Sequence, residues 1–433
     1  MVAADLPSLR HLRMFEAVAR LQSLSRAAVE VNRSQPAVTQ ALANLETTFG
    51  TKLVERRHSG SYLTGCGGIL HLRTQRLISQ IRQALLEPQV GPPLVDKARL
   101  GSLERKITSG HVRSLVAMAE SSSIEIAART IDVAPGSLCR SVSELERLLG
   151  RPLTHHTAHG LTTTLAGGEL ARRLKLAMRE IEHARDEIDT TGGQAETRIS
   201  VGAIPQCSMN ILTAAVDDLL RQYPSAQVMI ADGPYDTLLN DLRTGRLDFL
   251  FGVLRRPDWA HDVHEEPLFS DPYSVVVRAG HPLTRKRDLR LEDLAAYDWI
   301  LPRQGTPRRR AFEWMFSGMP QQPTSRVETS ALDVQVSLIA ASDRATLMST
   351  QEARRESAGG LIVALPFQPQ VSRMIDGATT RADWHPTSVQ LRFLELLRQH
   401  AGGISAPAGA CASGPPPHAA QAAGRGGVRP SFA

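Results

Sequence analysis

The chain has 433 residues, is 42% hydrophobic and carries a formal net charge of +6, too long for one core and suited to two to four domains at roughly 100–200 residues each. No apolar run approaches the roughly 18–20 residues that cross a bilayer, and the N-terminus lacks the basic start, apolar middle and cleavage site of a signal peptide, so a cytoplasmic location is expected. Cys66, Cys139, Cys207 and Cys411 are scattered without CxxC pairing, which argues against metal clusters and disulfide frameworks; no cofactor is assigned.

Leu9, Leu12, Phe15, Val18 and Ala19 fall at helical spacing and predict a first helix over Leu9–Arg20. Ser23-Leu-Ser25 caps a short second helix that runs to Val31, and small Ala27-Ala28 lets another helix approach. Asn32-Arg33 makes the turn. Ser34 then caps a third helix, with Pro36 in its first turn, where a missing N–H costs nothing. Val38, Leu42 and Leu45 face the core, leaving Gln35, Thr39, Gln40 and Ala43 outside. Such a face suits the major groove, where Gln pairs with adenine and Thr touches the thymine methyl. A merely exposed polar helix face is the plain alternative.

Gly50 ends that helix, and residues 52–57 and 62–64 alternate as two strands around His58-Ser-Gly-Ser. This is a wing, with Lys52, Arg56 and Arg57 placed to meet phosphate. A helix from about Ile69 to Leu86 closes the unit. Residues 1–90 hold eleven Lys/Arg and six Asp/Glu, an excess that suits a polyanion and predicts salt-sensitive binding.

Taken together, Ala27-Ala28, Ser34-Gln-Pro-Ala-Val-Thr-Gln40, Leu45-Glu46, Gly50, Leu53, Glu55-Arg56, Leu63-Thr64 and Gly67 resemble the LysR-type transcriptional regulators, bacterial DNA-binding proteins. The resemblance implies a winged helix-turn-helix, a linker helix used for dimerisation and a two-lobed, small-molecule effector domain. Carried onto this chain, it makes Ser25, Arg33, Ser34, Gln35, Pro36, Thr39, Gln40, Lys52, Arg56, Arg57 and Thr64 the candidate contacts to promoter DNA. RNA polymerase is a further candidate partner.

Past the breaker-rich linker Glu87-Pro-Gln-Val-Gly-Pro-Pro-Leu, the chain repeats itself at a shift of 100 residues. Arg13, Ala17, Ser23, Ala27-Ala28, Leu45-Glu46, Gly50, Leu53, Thr64 and Gly67-Gly68 recur as Arg113, Ala117, Ser123, Ala127-Ala128, Leu145-Glu146, Gly150, Leu153, Thr164 and Gly167-Gly168. Copy two keeps the buried face as Leu138, Val142 and Leu145. It replaces the outer one with Pro135, Gly136, Cys139, Arg140 and Ser143, and it loses the paired arginines of the wing. Two readings stay open: a reader of a different half-site, with Arg140 on guanine, or a structural spacer, which the lost cationic charge favours. Leu170, Leu174, Ala177, Ile181, Ala184 and Ile188 form a heptad seam. Copy one has Leu70, Thr74, Leu77, Ile81 and Ala84, with Thr74 a polar interruption. The expectation is a homo-oligomer through linker helices, a dimer or tetramer, chiefly through the copy-two seam.

After Thr190-Thr-Gly-Gly-Gln, strands and helices alternate: a strand at 198–204, a helix at 210–222, a strand at 227–231, a helix at 236–244 and an all-apolar strand at 249–253. That alternation predicts a mostly parallel α/β sheet. Gly245-Arg-Leu-Asp248, Pro267-Leu-Phe-Ser-Asp-Pro-Tyr and Gly280-His-Pro-Leu283 resemble the LysR-type effector domain, a two-lobed, Rossmann-like, periplasmic-binding-protein fold. The resemblance places an effector between the lobes, the second spanning about Tyr273 to Leu365. Candidate contacts are Pro205, Gln206, Ser208, Thr306, Thr329 and Ser330, with simple helix capping the alternative for each. Ala340-Ala-Ser-Asp-Arg344 replaces the family's Gly-rich turn. Arg308-Arg-Arg310 offers charge to an acidic metabolite, although a solvated helix face explains it better. The expected domains are 1–87 and 103–190 (two winged helix-turn-helix units with linker helices), 196–400 (effector domain) and a disordered tail at 401–433. No GxSxG, HExxH, P-loop or GxGxxG is present, so no catalytic residue is assigned.

Overall fold

A computed structural model describes residues 6–86, 94–157, 160–191, 197–204, 208–255, 261–371 and 373–403. The expected linker at 87–94, except its last residue Leu94, and nearly all of the tail lie outside the described residues. The chain divides into two compact units: Met1–Glu266 with Gly377–His400, and Pro267–Asp376 with the chain end from Ala401.

Copy one runs α1 (Leu9–Leu21), α2 (Leu24–Glu30), α3 (Gln35–Phe49), β1 (Val54–Arg57), β2 (Gly60–Leu63) and α4 (Gly65–Leu86). The polar residues between helices make the turns. Ser23 accepts from the Arg26 amide and Ser34 from the Ala37 amide, and Asn32 takes the left-handed conformation (φ 51°). Val38, Leu42 and Leu45 are buried. β1 and β2 pair antiparallel, Val54 opposite Leu63 and Arg57 opposite Gly60. Gly67 is required by crowding: a Cβ there would lie 1.9 Å from the Leu53 carbonyl oxygen, and one on Gly167 2.0 Å from that of Leu153. α4 starts four residues ahead of the expected helix because Thr64 caps it, its hydroxyl accepting from the Gly67 amide.

α5 (Lys97–Lys106) was not foreseen from the sequence. Among its charged residues only Leu100 and Leu103 supply apolar spacing. It is held by Arg82 on Glu104 at 2.8 Å, and just beyond it the Ile107 carbonyl accepts from Arg13. Copy two then repeats the plan: α6 (Ser109–Glu120), α7 (Ile124–Thr130), α8 (Pro135–Leu149), β3 (Thr154–Thr157), β4 (Gly160–Thr163) and α9 (Leu165–Thr191).

The linker helices correct the expectation of a seam between chains. Leu170, Leu174, Ala177, Ile181, Ala184 and Ile188 are buried, as are Leu70, Thr74, Leu77, Ile81 and Ala84, and α4 packs on α9 of the same chain. The helices run antiparallel: Arg73 reaches Glu187, while Gln80, two turns on, reaches Glu180, two turns back. One cluster of buried apolar side chains runs through both copies. A heptad stripe demands a partner without stating which chain supplies it; a tethered copy is always at hand, at a high effective concentration.

Beyond α9 come β5 (Arg198–Ala203), α10 (Met209–Gln222), β6 (Gln227–Asp232), α11 (Tyr235–Arg243) and β7 (Phe249–Val253). β5 pairs parallel with β6 and β7, as the alternation predicts. β8 (Val263–Asp271) leads out and, much later, β14 (Met374–Arg381) returns, giving the sheet order β6-β5-β7-β14-β8; α16 (Ser388–Gly402) follows. Asp248, fully buried, accepts from the Ser200 amide at 2.8 Å and from Arg179 of α9 at 3.2 Å. It therefore joins this sheet to the linker helix.

The second unit carries β9 (Tyr273–Arg278), a 3-10 turn (Pro282–Arg285), α12 (Leu291–Ala295), β10 (Ile300–Leu301), α13 (Pro307–Met315), β11 (Val327–Glu328), α14 (Leu332–Ala340), β12 (Thr346–Ser349), α15 (Thr350–Ser357) and β13 (Ile362–Ala364). β9 lies between β12 and β13, antiparallel to both. Trp299, Phe312 and Phe316 stack in its core.

Candidate nucleic-acid interface

α3 owes its outward face to its inward one. With Val38, Ala41, Leu42, Leu45 and Phe49 buried, Gln35, Pro36, Gln40, Ala43 and Asn44 are left exposed and Thr39 half-buried. The side chains of this face are short and hold one another in place. Ser25 at the start of α2 donates to Gln35 Oε1 at 3.0 Å, and Gln40 Nε2 donates to Asn44 Oδ1 at 2.9 Å. The first pair ties the start of α3 to the helix before it.

The wing is hung from Glu46. Its Oε1 accepts from the Leu53 amide at 3.0 Å and its Oε2 from Lys52 at 2.7 Å. Burial works against this carboxylate, but Lys52 and the amides of Leu53 and Val54 hold it below the usual range. Lys52 stays largely exposed despite the contact (81%), so part of its charge still faces outward. Arg57 bonds Glu55 at 3.1 Å and lies over the Tyr62 ring. Arg33 and Arg56 are exposed and have no partner among the described residues. Thr64 has a local task, donating to the Lys52 carbonyl at 2.7 Å while capping α4.

Thus Ser25, Arg33, Ser34, Gln35, Pro36, Thr39 and Gln40 gather on α2, its following turn and the first half of α3, while Lys52, Arg56 and Arg57 lie on the wing or just before it. The sequence reading missed Glu46 as the wing's anchor and Asn44 as the brace on Gln40. The signal for Glu46 was present in its recurrence as Glu146, which likewise accepts from the Leu153 and Thr154 amides at 2.7 and 2.9 Å. In copy two, Arg140 is exposed with no partner among the described residues, Ala134 caps α8 without a side-chain bond, and Glu125 stands where Ser25 stands in copy one.

The expected effector residues fare unevenly. Pro205 and Gln206 lie outside the described residues. Ser208 is buried ahead of α10. Thr306 caps α13, accepting from the Arg309 amide and donating to the Arg303 carbonyl; Thr329 accepts from the Ala331 amide, and Ser330 is half-buried. The arginine run is a solvated face only at Arg310, which is exposed. Arg308 is 1% exposed and paired with buried Glu352, and Arg309 bonds Glu313 and Glu328. Helical periodicity turns Arg308 inward, where a charge persists only if paired. No helix among the described residues is long and apolar enough to cross a membrane.

Comparison with known proteins agrees with this geometry. The bacterial LysR-family regulatory helix-turn-helix model matches twice, at residues 9–67 and 110–168, and the LysR substrate-binding domain matches 192–402. The chain is 30% identical over 404 residues to the HTH-type transcriptional regulator GalR of Pseudomonas putida, covering 92% of this chain and 98% of that one. It is 26% identical over 304 residues to the regulator PcaQ of Agrobacterium fabrum, covering 70% and 97%. A full-length, singly substituted OxyR from Pseudomonas aeruginosa shares the fold at a TM-score of 0.51 and 22% identity, covering 68% of this chain and 94% of that one. The chain therefore belongs to the LysR family of DNA-binding transcriptional regulators, proteins with an effector-binding domain rather than enzymes, and it carries the family's helix-turn-helix twice.

Proposed function

We propose that copy one is the principal DNA reader, acting in the cytoplasm. α3 enters the major groove with Gln35, Thr39 and Gln40 toward base edges, supported by Ser25, Ser34 and Pro36 at its start. Arg33, Lys52, Arg56 and Arg57, with Thr64 beneath the wing, engage the backbone. The observation behind this reading is the outer surface of α3: short hydrogen-bonding side chains without bulk, flanked by the exposed cations Arg33 and Arg56, which have no partner among the described residues. The C-terminal domain supplies control by a small-molecule effector. We assign Ser208 and Ser330 as its candidate polar contacts together with Pro205 and Gln206. Thr306 and Thr329 contribute only if their present bonds to the chain are exchanged.

The test is fluorescence anisotropy of the full chain on a duplex enriched by it from a random-sequence pool. Replacing Gln35, Thr39 and Gln40 by Ala, with circular dichroism unchanged, lowers affinity at least a hundredfold, since each good base contact is worth about 1–3 kcal/mol. Unchanged affinity in a folded triple variant overturns the reading.

A further inference from the structure

We infer that a single chain supplies both halves of a DNA-reading module, with α8 of copy two reading a second, dissimilar half-site through Arg140. This rests on the DNA-binding reading of copy one and extends it.

Three observations carry it. First, the contacts between the copies point to an approximate two-fold arrangement within one chain. The antiparallel α4–α9 pair runs through its middle. The equivalent positions 9 and 109 touch, the Leu9 amide donating to Ser109 Oγ at 2.8 Å while Ser109 donates to the Pro7 carbonyl at 2.7 Å. A second copy placed in this way makes α8 the counterpart of α3 in that arrangement. The apolar seam that would otherwise recruit another chain is already full.

Second, copy two has kept parts that a spacer has no use for. Packing on copy one engages α6 and α9. Yet the exposed β3–β4 wing is also built, with its Glu146 anchor, its Thr164 cap and the close approach at Gly167. Four-residue wing strands with little buried surface add little to a core, so their upkeep points outward.

Third, the face of α8 admits a base edge. Pro135, Gly136, Ser137 and Ser143 are small and exposed, and Arg140, at the position of Gln40, is exposed and has no partner among the described residues. Arginine matches guanine O6 and N7 with two donors, whereas Gln matches adenine, so the halves call for different bases. Copy two is the weaker half. It lacks counterparts to Lys52, Arg56 and Arg57 and carries Glu125 in place of Ser25.

The experiment is affinity selection from a random-sequence duplex pool with the full-length wild-type chain and with Arg140→Ala, followed by sedimentation of each complex. The wild type is expected to enrich two dissimilar half-sites, centred about 10 base pairs or a multiple apart, with one chain per duplex. Arg140→Ala keeps the copy-one half and loses a guanine preference in the other, with affinity falling roughly ten- to hundredfold. An inverted repeat of one half-site bound by two chains overturns the inference, as does a lone half-site indifferent to Arg140→Ala. Failure to enrich any sequence overturns the DNA-binding reading beneath it, and the inference with it.

Discussion

The two copies share an interior and differ on the surface. Leu45, Leu53 and Ala27 have buried counterparts in Leu145, Leu153 and Ala127, and Val38 and Leu42 exchange shapes with Leu138 and Val142 without loss of burial. Outside, Gln35 becomes Pro135, Gln40 becomes Arg140 and Arg56 becomes His156. Burial leaves little freedom, because a misplaced volume costs packing at once, whereas an exposed side chain answers only to a ligand. The contrast lets one scaffold hold two faces of different chemistry, and it locates function on what changed.

The largest effect should come where the copies meet. Arg73, 3% exposed, bonds Glu187 and Glu180 of copy two and the backbone carbonyls of His385 and Pro386. Arg73→Met removes the ion pair to Glu187 and one of the cations on Glu180, which keeps Arg76 and Gln80, and should cost about 3 kcal/mol in denaturant unfolding; a loss under about 1 kcal/mol would mean that the copies do not depend on this junction. Thr74 stands where copy two has Leu174; it is fully buried and its hydroxyl has no partner among the described residues. Thr74→Val should raise stability by about 1–2 kcal/mol in the same measurement, since a buried unpaired hydroxyl costs about 1–3 kcal/mol.

His183 occupies the position of Gln83. Burial, and then the charges of Arg179, Arg73, Arg381 and Arg76, push its pKa well below 6.5. The unfolded chain thus takes up a proton below pH 6.5 that the folded chain refuses, and stability falls as pH drops from there, by at most about 1.4 kcal/mol per pH unit. His183→Gln should flatten that acid limb in thermal melts between about pH 5 and 7; an unaltered limb would place the sensitivity elsewhere.

The caps differ as well. Ser34 bonds the Ala37 amide, whereas Ala134 bonds nothing through its side chain. Ser34→Ala should destabilise by about 1 kcal/mol and Ala134→Ser should stabilise by about 0.5–1 kcal/mol, readable as shifts in urea midpoint of opposite sign. The smallest effect concerns charge. Arg56→Ala should reduce the slope of log affinity against log salt by about 0.9. Equal slopes for wild type and Arg56→Ala would remove this residue from the phosphate contacts.

Much of this was legible in the chain itself. The spacing of Leu9, Leu12, Phe15 and Val18 marked α1, Ser34 and Pro36 marked the start of α3, and Phe249–Val253 marked a strand buried on both faces. α5 escaped because ten residues with two core leucines give too weak a period. Arg308 and Arg309 misled because adjacent charges look solvated, as exposed Arg310 is, although helical geometry sends neighbouring side chains in different directions. Glu46 escaped because anchoring a wing takes contacts seven and eight residues away, which no local pattern displays.

What the residues alone determined was the duplication, the helix-turn-helix plan and the chemistry of the α3 face, because each is written in local periodicity, caps and polar side chains. Tertiary structure decided which surface meets which: α9 against α4 of its own chain rather than of a neighbour, Arg308 inward on Glu352, and Asp248 between sheet and linker helix. The physical reason is that apolar association is non-directional. A stripe of Leu, Ile and Ala states how much must be covered, and only the folded chain, by placing a matching stripe within reach, states by what.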